Sequence, residues 1–101
     1  MSDYFVGERE FRVFEFHRGD DMGGLTDGET LTGAPTVKAY SSAGADVSAQ
    51  MVSDVSIYAS TQVRYLFRAD VAGAFTVVVS AQTTNGQTLI DRVVLSVGAP
   101  Y

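Results

Sequence analysis

His17 is the only histidine among the 101 residues, and cysteine is absent. A histidine-based nucleophilic centre would therefore have to activate a serine or a threonine. No Gly-x-Ser-x-Gly elbow occurs in the sequence. His17 stands at the expected end of a strand, where a solvated or capping histidine is the plainer reading. Asp20, Asp21, Asp27 and Glu29 fall in or beside a loop from Arg18 to Gly28 that holds four Gly and three Asp. Such oxygen ligands suit calcium, but their spacing is not that of an EF-hand loop. A solvated turn is the favoured reading. Arg18-Gly19-Asp20 matches the tripeptide of some integrin ligands, a match of only three letters. There is no Gly-rich loop to cradle a phosphate, and no basic–aromatic stripe on which bases could stack. The expectation is a chain with no catalytic residues, no metal and no cofactor.

The elements around these residues read as strands. The clearest are in Gly73 to Val97. Phe75, Val77, Val79 and Ala81 alternate on one strand, and Leu89, Val93, Leu95 and Val97 share a face of the next. Period two is the mark of a half-buried strand. Asn85-Gly86 between them tolerates the positive φ of a tight turn. A two-residue loop would set the polar face of one strand beside the apolar face of the other. A three-residue loop, Thr84 to Gly86, pairs Phe75 with Leu95, Val77 with Val93 and Ala81 with Leu89. The apolar pattern selects the second register, with Gly86 left-handed. It also sets Asp91 inward beside Val79, where it needs a partner, a local bulge or a place at the rim.

Elsewhere strands recur roughly every ten residues. Glu10 to His17 has a broken alternation, since Phe11 and Val13 point one way and Phe14 and Phe16 the other. That predicts a bulge near Val13-Phe14 or two covered faces. Strands are expected at Thr30–Thr32 and Pro35–Tyr40. Val47, Ala49 and Met51 alternate, as do Val55, Ile57 and Ala59, then Val63, Tyr65 and Phe67. Seven or eight short strands in about 100 residues predict an all-β, immunoglobulin-like two-layer sandwich of about seven strands, without the antibody cysteines and tryptophan. A small barrel is the alternative. The chain reads as one domain, 1–101, with an amino-terminal contact segment at about residues 1–9.

Twelve acids against seven bases give a net charge of −5. That balance argues against nucleic acid, whose phosphates need a positive face. The first ten residues carry acids and no apolar run, so they do not read as a secretory signal. No apolar run reaches the length of a membrane span. Missing cysteines suit a reducing cytosol. Six of the seven bases are Arg. Arg is enriched at interfaces, although a GC-rich genome gives the same skew.

Outward apolar residues are the remaining hint. In the chosen register Val78, Ile90 and Val94 share the outer face of the hairpin, and Leu66 lies outward between Arg64 and Arg68. A contiguous apolar group marks a contact, or else a cover by loop or amino-terminal segment.

The order of features resembles small immunoglobulin-like proteins of tailed-bacteriophage particles. The residues that carry the resemblance are the acidic segment before Phe11, the run DGETLTGAPTV at 27–37, Val63 to Phe67, Val71 to Phe75, and TTNGQTLIDRVVLSV at 83–97. The last contains the pattern Thr83, Gly86, Gln87, Leu95, Val97. The resemblance implies a non-enzymatic virion structural protein, made in the host cytoplasm. It implies a capsid decoration, or cement, protein that binds the major capsid protein and associates with its own copies on the particle. A fibre–tail or neck adaptor bound to tail or neck proteins is the alternative. A carbohydrate-binding sandwich using Tyr40 and Tyr58 is the second. The expected contact residues are Tyr4, Phe5 and Val6, in a flexible amino-terminal segment, with Val78, Ile90 and Val94. No nucleic acid and no membrane partner is expected.

Overall fold

A computed structural model describes residues 3–16 and 28–99. Among the described residues, seven strands form two sheets. They are β1 (Tyr4–Phe5), β2 (Arg9–Glu15), β3 (Leu31–Ser41), β4 (Val52–Ala59), β5 (Gln62–Arg68), β6 (Gly73–Thr83) and β7 (Thr88–Gly98). A four-residue helix, α1 (Ser48–Met51), precedes β4. One sheet has the order β1-β7-β6-β3 and the other β2-β5-β4. The immunoglobulin arrangement puts its third, sixth and seventh strands in one sheet and its second, fifth and fourth in the other. The same grouping holds here. The first strand joins the last one in parallel, pairing Tyr4 with Val97 and Phe5 with Gly98.

The alternating residues supply the core. Val63, Tyr65 and Phe67 of β5 face Val77 and Val79 of β6, all fully buried. Burying each such side chain contributes about 1.5–3 kcal/mol. The β6–β7 register pairs Phe75 with Leu95, Val77 with Val93 and Ala81 with Leu89. This is the register that the apolar pattern predicts. The loop is Thr84 to Gly86, closed by Thr83 N–H on Gln87 O at 2.9 Å. Gly86 has φ +87°.

Asp91 lies opposite Val79, yet it is exposed. No bulge removes it. Among the described residues β7 pairs with β1 at Val97 and Gly98 alone, and Asp91 lies on the part of the β7 edge with no described strand beside it. Asp91 turns onto that edge, and its Oδ1 accepts the Arg92 N–H at 2.8 Å. Asp3 does the same for Ser96 N–H, through Oδ2 at 2.8 Å.

Three elements differ from the sequence reading. The expected strands at 30–32 and 35–40 are one strand, β3, with an irregularity between Thr32 and Thr36. Gly33, at φ +74°, makes that irregularity possible. The alternation of Val47, Ala49 and Met51 belongs to α1 rather than to a strand. Asp46 Oδ1 accepts the Ser48 N–H at 2.9 Å, and Ser48 Oγ accepts the Ala39 N–H at 2.8 Å. These two bonds turn the chain before a strand could form. In β2 the pairing with β5 runs unbroken from Arg9 to Glu15, so there is no bulge near Val13. Nor are both faces covered, because Phe14 packs on the core while Phe11 and Val13 are exposed.

Candidate functional site

The outer face of the four-stranded sheet holds the expected hairpin residues. Val78 on β6 lies between Lys38 on β3 and Arg92 on β7. Ile90 and Val94 are the diagonal neighbours of Val78, within reach across the strand pair. Ile90 is 68% exposed and Val94 61%. Val78, Ile90, Asp91 and Arg92 line a shallow depression of about 340 Å³. The three apolar residues therefore share one surface. Lys38 is drawn to one side by Asp46, at 3.8 Å.

The amino-terminal residues divide. Phe5 and Val6 are exposed, but Tyr4 is only 3% exposed and belongs to the core. Its ring packs on Phe67 with centroids 5.2 Å apart. Its hydroxyl donates to Glu10 Oε1 at 2.8 Å and accepts from Arg12 Nη1 at 2.8 Å. Burial raises the Tyr4 hydroxyl above its ordinary 10.0, against the opposing hydrogen bond from Arg12. Tyr4 is thus not an available contact residue, and the segment that holds it is a paired strand. The sequence offers Tyr4 and Phe5 as adjacent aromatics. Only the pairing with β7 decides which one turns inward. Phe5 stands opposite Gly98, four residues along β7 from Val94, so about 13 Å separates them along the strand.

The acidic loop divides as well. Glu29 is buried, with its carboxylate accepting from Thr83 Oγ1 and from Gln87 Nε2 at 2.9 and 3.1 Å. It ties the start of β3 to the final hairpin and does not face solvent. Asp20, Asp21, Asp27 and His17 lie outside the described residues. Among the described residues no three His, Cys, Asp or Glu side chains converge as metal ligands would.

A second surface was not picked out as a site by the sequence reading. On the outer face of the three-stranded sheet, Arg64 of β5 lies 3.9 Å from the ring centroid of Phe11 and 5.8 Å from that of Tyr58. Phe11, Val13 and Tyr58 are all exposed there. The signal that could have found it is the outward Phe11-x-Val13 pair, set against the Arg64-x-Leu66 pair of β5. Of the two tyrosines suggested for sugar binding, Tyr58 is exposed and Tyr40 is partly buried.

No protein-family model, characterised protein or solved structure matches the chain.

Proposed function

We propose that this domain is a non-enzymatic structural protein of a tailed-phage particle, a capsid decoration protein that docks through the outer face of its four-stranded sheet. The observation that carries the reading is the group Val78, Ile90 and Val94, where exposed Ile90 and Val94 flank a partly buried Val78 on one sheet face. Their burial against a partner is favourable at about 25 cal/mol per Å² of apolar surface. Phe5 and Val6 add exposed apolar surface from the amino-terminal strand. A modest patch suits a lattice. Each bound copy raises the effective concentration of its neighbouring contacts, so many weak contacts hold firmly. The resemblance of residues 27–37 and 83–97 to phage proteins supplies the particle, and the exposed face supplies the surface.

The test is the copy number of the chain per major capsid protein in purified virions, for the wild type and for Ile90→Asp with Val94→Asp. Both residues are exposed, so the fold should tolerate the changes within roughly 0.5 kcal/mol each. The expected result is a copy number in the hundreds for the wild type and loss of the variant from particles. Full occupancy of the variant would refute the surface, and absence of the wild type from virions would refute the role. A stoichiometry of about a dozen or fewer would assign the domain to a fibre–tail or neck joint.

A further inference from the structure

We infer that the outer face of the three-stranded sheet is a separate docking site for an acidic, apolar-flanked segment of a partner protein, whose carboxylate is taken by Arg64.

The argument begins with how the arginines are used. Arg68, on the same strand, is committed to its own chain. Its Nε and Nη2 donate to the carbonyls of Gln50 and Ala49 at 2.9 and 3.1 Å, and its Nη1 to Ser53 Oγ at 2.7 Å. Arg12, on the inner face of β2, is bound to the Tyr4 hydroxyl. Arg64 has no hydrogen bond and no ion pair with any described residue. It is partly buried, against the ring of Phe11 and beside that of Tyr58. An arginine stacked on aromatic rings has its conformation limited in advance, so less entropy is lost when it binds. Its N–H fork matches a carboxylate with two parallel bonds.

The surroundings set the chemistry of the rest of the partner. Phe11 is 47% exposed and Tyr58 58% exposed, with Val13 exposed and Leu66 partly so, all on this face. They offer a shelf for apolar side chains on either side of the carboxylate. The outward positions of β2 and β5 carry Arg9, Arg64 and Arg68 against Glu15, and Asp54 of β4 accepts from the Ser53 hydroxyl beside Arg68, so bases outnumber acids three to two. Three of the seven basic residues therefore stand together on a chain whose net charge is −5. This local reversal of sign selects an anionic partner. A polynucleotide needs several free cations in a row. Here only Arg64 is held between rings, so a single carboxylate among apolar residues is the better complement. The site lies on the opposite sheet from Val78, Ile90 and Val94 and does not depend on the particle role.

The test selects twelve-residue peptides from a random displayed library on the intact chain. Affinities of the selected peptides are then measured by fluorescence polarisation. Enriched sequences should carry Asp or Glu between apolar residues. Arg64→Gln and Phe11→Ser should each weaken them at least tenfold, and Arg64→Lys by less than Arg64→Gln. Ile90→Asp should leave their affinity unchanged, which separates this site from the other face. Unfolding midpoints of the variants check that the fold is intact. Failure to enrich any peptide, enrichment without acids, or binding indifferent to Arg64→Gln would overturn the inference. So would an Arg64-dependent self-association in sedimentation, or an Arg64-dependent binding of a labelled oligothymidylate.

Discussion

Replacing Tyr4 separates two accounts of the amino-terminal strand. If residues 3–6 were only a contact segment, Tyr4→Ala would leave the isolated domain as stable as before. The structure requires the opposite. The Tyr4 ring is buried against Phe67. Truncating a buried aromatic to alanine costs about 3–5 kcal/mol. Tyr4→Phe keeps the ring and removes only the hydroxyl shared by Glu10 and Arg12. Both partners are charged but within reach of water, so that loss is about 1–2 kcal/mol. For a domain of this length each kcal/mol moves the thermal midpoint by about 4–8 °C. Tyr4→Ala should therefore lower the midpoint by at least about 12 °C, and Tyr4→Phe by about 4–16 °C. Val6→Asp, on an exposed side chain next door, should change stability by less than about 0.5 kcal/mol. Urea and thermal unfolding followed by far-ultraviolet circular dichroism give all three values. A midpoint for Tyr4→Ala equal to that of the wild type would refute the buried placement and the β1–β7 pairing with it.

Two further outcomes are expected. Gly86→Val should cost on the order of 1–2 kcal/mol in denaturant melts. A Cβ there meets nothing within 4 Å, so the whole effect is backbone strain at φ +87°, and Gly86→Asn should cost less. An unchanged midpoint for the valine variant would show the loop to be built otherwise. Of the five tyrosines, Tyr4 and Tyr65 are raised above 10.0, in both cases chiefly by burial. Their neutral forms stabilise the fold. That contribution is complete below the unfolded value of about 10 and is lost as pH rises through the higher folded values. In a near-ultraviolet absorbance titration fewer than five phenolates should form before the domain unfolds. Five ionising together near 10 in a folded protein would contradict this.

The final hairpin was legible because two signals agreed there. Period-two alternation fixed the faces, and Asn85-Gly86 fixed the turn, so the register followed from local chemistry alone. Residues 47–51 misled for the complementary reason. Val47, Ala49 and Met51 alternate like a strand, but Asp46 accepts the Ser48 N–H and the Val47 carbonyl accepts the N–H groups of Gln50 and Met51, closing a helical turn instead. Periodicity over so few residues cannot outvote such bonds. Tyr4 was misread because its inward turn depends on pairing with Val97, a contact distant in sequence. The site divides along the same line. Val78, Ile90 and Val94 come from one hairpin and were visible together. Phe11, Tyr58 and Arg64 come from three strands, and only the β2-β5-β4 order brings them to one place.

The parallel pairing of β1 with β7 also orders events during synthesis. Asp3 and its partner Ser96 are 93 residues apart. At roughly 5–20 residues per second, the ribosome needs about 5–20 s to make the second after the first. Throughout that interval Tyr4 has no β7 to hold it against Phe67, and Glu10 and Arg12 face a core without the hydroxyl that joins them. The oldest part of the nascent chain is thus among the last to settle. A chain halted before Ser96 keeps an apolar seam open between its sheets, the kind of surface on which chaperones act.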